Sequence, residues 1–132
     1  MQYMLDTDIC IYVINERPPA VLQTFLRHES AGLGISAVTA AELFYGVART
    51  GSQRNLQGLR QFLAPLEIAS FDAAAAEVFG SLRAWLQTQG TPIGPYDTQI
   101  AAHAHQLGVT LVSNNLREFE RVPGLKLENW AR

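Results

Sequence analysis

Three carboxylates and one carboxamide fall where this chain changes direction. Asp6 interrupts an apolar run in "MLDTDICIYVI", Glu42 lies in "SAVTAAELFYG", Asp97 in "GPYDTQIAAHA", and Asn115 in "VSNNLREFE". Glu118 follows Asn115 by one helical step. Each has an ordinary structural explanation, because helix N-termini favour acids and Asn through capping and the dipole. Asp8 reads as an N-cap, and Thr39 with Glu42 matches the S/T-x-x-E capping box. The set is harder to explain that way. Three carboxylates gathered within about 4–5 Å repel by several kcal/mol per pair at an intermediate dielectric, so a cation is needed to hold them together. Oxygen ligands without His or Cys suit Mg²⁺ or Mn²⁺ better than Zn²⁺. Such an ion keeps several waters and neutralises phosphate, which points to phosphodiester hydrolysis.

Other chemistries fit less well. His103 and His105 are two residues apart and face different ways on a helix, and His28 stands alone. There is no nucleophile elbow, phosphate loop or dinucleotide-binding glycine pattern. A strand followed by Asp-x-Asp also begins haloacid-dehalogenase-like phosphatases. That pattern expects Thr or Val where Cys10 stands, and a downstream lysine; a phospho-receiver domain needs the same lysine. The only lysine is Lys126, near the end of the chain.

The elements that position the acids can be read from apolar periodicity. "QYML" is a short strand ending at Asp6, and "ICIYVINE" continues at helical length until Pro18 and Pro19. "AVLQTFLRHE" carries the stripe of an amphipathic helix, and "LGIS" is a second strand. "TAAELFYGVART", closed by Gly51, and "RNLQGLRQFLAPL" form a helical hairpin. "LEIAS" is a third strand, and "DAAAAEVFGSLRAWLQTQG" runs from an Asp cap to a Gly stop. "PYDTQIAAHAHQLG" is another helix, "VTLVS" a fourth strand, "NNLREFERV" a turn and short helix, and "LKLENW" a final edge strand. Strands separated by helices of this length favour right-handed crossovers and a parallel sheet covered on both faces. Sites in such sheets form beyond the carboxyl ends of the strands, where these acids lie.

The 132 residues fit one domain, with no linker or repeat. One cysteine, Cys10, allows no internal disulfide. No apolar run reaches the roughly 18 residues of a membrane span, and no signal peptide is evident, so a soluble cytoplasmic protein is expected. A net charge of −2 argues against a protein that coats nucleic acid. It does not exclude a nucleic-acid enzyme, and nine of the ten cations are Arg, suited to phosphate.

"MLDTDICIYVI", "ISAVTAAELFYGV", "GTPIGPYDTQIAAHA" and "LVSNNLREFERVPGLKLENW" resemble, in order, the successive motifs of PIN domains of the VapC toxin family. The resemblance covers nearly the whole chain, residues 1–132 as a single domain. It implies a three-layer α/β/α sandwich around a mostly parallel sheet of four or five strands. It also implies an endoribonuclease dependent on Mg²⁺ or Mn²⁺ that cuts structured RNA such as tRNA and inhibits translation. A VapB antitoxin would silence it, and operator DNA would be reached only through that antitoxin. Carried over by position, Asp6 and Asp97 match the principal metal-binding aspartates, and Glu42 matches the acid of the third helix. At Asn115 many relatives have Asp. Asn115 then either orients water or yields its place to Glu118, and a module that binds RNA or antitoxin without cutting is the alternative. Thr7 and Ser113 stand beside two of the acids, either positioning them or serving as ordinary strand-end polarity. The family also implies a homodimer, for which exposed Phe44, Tyr45 and Val47 offer a surface if they do not pack internally. The same helices are the alternative groove for the antitoxin.

Overall fold

The structure is a computed structural model in which residues 1–131 are described. Strand β1 (Tyr3–Leu5) leads into α1 (Thr7–Asn15), which Glu16 closes in the left-handed region, and Pro18 and Pro19 then open α2 (Pro19–Arg27). A 3₁₀ turn (Glu29–Ala31) delivers the chain to β2 (Leu33–Ser36). The hairpin of α3 (Ala37–Thr50) and α4 (Gln53–Leu63) comes next, then β3 (Glu67–Ala69) and α5 (Ala73–Thr88). The chain finishes with α6 (Pro95–Leu107), β4 (Thr110–Val112), α7 (Leu116–Phe119) and β5 (Leu127–Glu128). The expected strands and helices are all present, in the expected order.

All five strands are parallel, in the order β3-β2-β1-β4-β5. The chain therefore builds outward from β1 through β2 and β3, then returns to lay β4 on the other side of β1. Between β1 and β4 the direction of building reverses, and the turns leaving these two strands part to opposite faces. A crevice opens there. Tyr3 pairs with Thr110 and Leu5 with Val112, so Asp6 and Ser113 emerge side by side at its floor.

Strand alternation divides the core between the two faces. Leu5 and Val112 pack with Ile9, Val13, Phe25, Leu43 and Leu59 under α1 to α4. Met4 and Leu111 pack with Ile100, Ala104 and Phe119 under α6 and α7. These strand residues are fully buried, as expected of a parallel sheet covered on both sides. The turn out of β1 is thus anchored by apolar contacts on both faces. Gly34 lets β2 approach its neighbour, since a Cβ there would lie 2.6 Å from the Glu67 carbonyl.

Candidate active site

Asp6 is the first residue after β1 and caps α1: its Oδ1 accepts a 2.8 Å hydrogen bond from the Thr7 amide. Its other oxygen accepts from the Ser113 hydroxyl at 2.8 Å, across the β1–β4 junction. Ser113 in turn accepts from the Asn115 amide at 2.9 Å, so one buried hydroxyl sets both the carboxylate and the loop after β4. Thr7 Oγ1 donates to Glu42 Oε1 at 2.7 Å, which aims the mid-α3 carboxylate at the start of α1. Asp97 lies in the first turn of α6, behind Pro95. Asp6, Asp8, Glu42, Asp97 and Asn115 line one open cleft, with Thr7 and Ile11 between them.

The electrostatics follow from the crowding. Burial, with Asp8 beside it, raises the Asp6 carboxyl from its ordinary 3.8 to about 7, against the lowering bonds from Ser113 and Thr7. Burial and then the neighbouring Glu118, Glu42 and Asp8 raise Asp97 to about 6. Burial also raises Asp8. One Asp8 oxygen accepts from the Asn114 amide at 3.2 Å, while its buried Oδ1 has no hydrogen-bond partner among the described residues. A buried carboxylate oxygen in that state lacks a positive partner, and an oxygen-only donor set fits a hard divalent cation.

Asp8 corrects the sequence reading. It was expected to cap α1, but Asp6 takes the cap, which places Asp8 in the first helical turn with its carboxylate on the cleft. Only a strand end fixed to the residue would have shown it: β1 stops at Leu5, which makes Asp6 the capping position. The capping box proposed for Glu42 is also absent, because Ser36 caps α3 and Thr39 is buried inside the helix. The carboxylates crowd one cleft without closing on a single point. Among the described residues no three His, Cys, Asp or Glu side chains form a closed metal-binding group. Asp6, Asp8 and Glu42 each accept hydrogen bonds of their own, whereas Asp97 faces Glu118, Glu42 and Asp8, whose charges raise it.

The fourth expected position divides its roles. Asn115 lines the cleft, and its amide nitrogen donates to Glu118 Oε2 at 2.6 Å. Glu118 also accepts from the Gly94 amide at 3.0 Å and lies beside Asp97, joining α7 to the start of α6. His103 is buried against Ser36 Oγ at 2.9 Å, and His28 stacks on Trp130, so neither faces the cleft. Phe44 and Tyr45 are exposed, whereas Val47 packs on the core.

Acids gathered at the switch point of a parallel α/β/α sheet define the class, and a family model described as PIN domain matches residues 3–125. Over 132 residues, and 99% of both chains, the sequence is 42% identical to the tRNA(fMet)-specific endonuclease VapC of Salmonella typhimurium. It is 46% identical over 133 residues, again 99% of both, to ribonuclease VapC2 of Haemophilus influenzae. The crystal structure of DNA-bound VapBC from Salmonella typhimurium superposes with a TM-score of 0.90 at 42% identity, covering 98% of each chain. VapBC2 from Rickettsia felis, bound to a DNA fragment from its promoter, gives 0.90 at 41% identity over 98% of this chain and 99% of that one. The chain belongs to the PIN-domain family, among its VapC ribonucleases of toxin–antitoxin systems. It is therefore a hydrolase acting on RNA, in a family that generally depends on divalent metal. Among the described residues no helix is long and apolar enough to cross a membrane.

Proposed function

We propose that the chain is the toxin of a type II toxin–antitoxin pair that cuts tRNA by Mg²⁺-dependent hydrolysis, with Mn²⁺ as a substitute, and so inhibits translation in the cytoplasm. The observation that carries this reading is the cleft at the β1–β4 switch point, lined by Asp6, Asp8, Glu42 and Asp97. Asp6 and Asp97 would hold the ion directly, with Glu42 reaching it through water, because Mg²⁺ keeps most of its waters and takes only one or two carboxylates. Once bound, the ion would supply an activated water and neutralise charge developing on the phosphate.

The residues around the acids have separate tasks. Ser113 and the Thr7 amide hold both oxygens of Asp6, and the Thr7 hydroxyl holds Glu42. Asn115 orients water from the loop after β4, while Glu118 holds the Gly94 amide at the start of α6 and serves as the reserve acid. Asp8 supplies a further negative charge at the cleft. A non-cutting module drew its support from Asn115 standing where relatives have an acid, and Asp8 restores the cleft to four carboxylates.

A VapB-type antitoxin is the expected partner, its basic side chain neutralising the acids. The two VapBC structures compared above are both bound to DNA, and operator DNA would be contacted through the antitoxin. Exposed Phe44 on α3 supports a homodimer, which sedimentation at micromolar concentration tests. Sequencing RNA ends after brief expression tests the activity. New ends in one or a few tRNAs, absent with Asp97→Ala, are the expected outcome; an unchanged tRNA pool would reject the reading.

A further inference from the structure

A second groove adjoins the acid cleft and shares Thr7 and Glu42 with it. Its far walls are Tyr45 and Arg49 from α3 and Tyr96 and Gln99 from α6. Tyr45 is 67% exposed and Tyr96 is 59% exposed, and neither is part of the packed core. Tyr45 follows Glu42 by three residues and precedes Arg49 by four, so the three share one helical face. The Arg49 guanidinium carbon stands 5.8 Å from the Tyr45 ring centre. Tyr96 immediately precedes Asp97 at the start of α6.

We propose that this groove seats unpaired nucleotides next to the phosphodiester being cut, with the Tyr45 and Tyr96 rings as stacking platforms for bases and Arg49 facing the phosphates. The inference rests on the ribonuclease reading and adds to it where the substrate lies. Three observations favour nucleic acid over a protein partner here. The groove is continuous with the cleft, so a chain threaded through the acids must leave along it or along the opposite rim. Its two exposed aromatics accompany a cation, the pairing of stacking platforms with a phosphate contact by which proteins hold single strands. The cation is Arg, whose plane both stacks and forks to phosphate, and it offsets the acids that would otherwise repel the RNA backbone. Of the residues offered above for contact between copies, Tyr45 lines this groove, whereas Phe44 lies about 100° around α3 from it and does not. Because a base must be unstacked from its neighbours to lie on an exposed ring, the substrate class is a loop or single-stranded region rather than a continuous RNA helix.

The test uses the full chain and a full-length, 5′-labelled initiator tRNA transcript with Mg²⁺. Tyr45→Ala and Tyr96→Ala should each raise KM between about fivefold and a hundredfold with kcat within about twofold, the range set by loss of one base-aromatic stack. Tyr45→Phe and Tyr96→Phe keep the ring and should stay within about twofold of the unsubstituted chain, which a hydrogen-bonding or general-acid role for the phenol would not allow. Filter binding of the same transcript, with Ca²⁺ in place of Mg²⁺, measures affinity without relying on cleavage. Ala variants with unchanged KM and affinity, or Phe variants as impaired as Ala, overturn the inference while leaving the nuclease reading intact. Ala variants that instead change the sedimentation coefficient assign the groove to a second copy of the chain and also overturn it. A chain that binds the transcript in a tyrosine-dependent way without cutting it overturns the nuclease reading and supports this groove.

Discussion

Replacing Asp6 with Asn should stabilise the metal-free chain at neutral pH. Asp6 is buried at the end of β1, and burial with Asp8 beside it moves its carboxyl from 3.8 to about 7. The unfolded chain releases this proton near 3.8 and the folded chain only near 7, so between those values the folded state binds the extra proton. Stability from this group is therefore highest below the unfolded value, falls as pH rises through the window, and is fully lost above 7. A displacement of that size costs about 4 kcal/mol at neutral pH and above. In D6N the amide oxygen still accepts from Thr7, but its NH2 cannot accept from Ser113 and must donate to that hydroxyl instead, so one charge-assisted bond becomes neutral and the other reverses, which offsets about 1–2 kcal/mol of the gain. The net gain of about 2–3 kcal/mol corresponds to a rise in Tm of about 6–12 °C for a domain of this length. Thermal unfolding in EDTA at about pH 7.5 and about pH 5 reads it, because at the lower pH the folded carboxyl already carries its proton and the advantage should shrink by more than half. Added Mg²⁺ should stabilise the unsubstituted chain more than D6N. A lower Tm for D6N at the higher pH, or an equal gain at both, would refute the charge crowding inferred at this junction.

Further substitutions separate the neighbours by role. Asp97→Asn should reduce tRNA cleavage to background with the fold retained by circular dichroism; its Tm gain at neutral pH should be smaller than that of D6N, because Asp97 is less buried than Asp6 and its carboxyl is raised less, to about 6. Asp8→Asn should lower cleavage and raise the Mg²⁺ concentration needed for half-maximal rate, whereas a residue serving only the helix would move Tm alone. Thr7→Val removes the 2.7 Å bond to Glu42 and should lower kcat about tenfold, with a stability change of about 1 kcal/mol by urea unfolding. EDTA should abolish cleavage, and Mg²⁺ or Mn²⁺ should restore it.

The sheet and helices were legible because the signals agree across levels. Asp72 and Gly51 punctuate helices where capping physics expects them, and apolar runs such as "VTLVS" are too short for anything but buried strands. The gathering of Asp6, Glu42 and Asp97 at one end of the sheet was legible too, since each follows or opens a crossover of the same hand. Asp8 was not. Two acids two residues apart differ in role by which of them takes the cap, and that depends on where β1 stops to within one residue. The partners of the acids were out of reach for another reason: Ser113 meets Asp6 across 107 positions of sequence, and only the strand register brings them together. Tyr45 and Tyr96 show the same limit. On their helices they read as ordinary amphipathic residues, and only the packing of α3 beside α6 places both on one groove.

The central claim is that the switch-point acids form a divalent-metal site that cuts RNA. Isothermal titration of Mn²⁺ into the unsubstituted chain and into Asp6→Ala and Asp97→Ala, paired with tRNA cleavage by the same samples, tests it most directly. The account predicts measurable Mn²⁺ binding and cleavage by the unsubstituted chain, and loss of both in either variant with the fold unchanged. Cleavage at the unsubstituted rate by a variant that no longer binds the ion would contradict it.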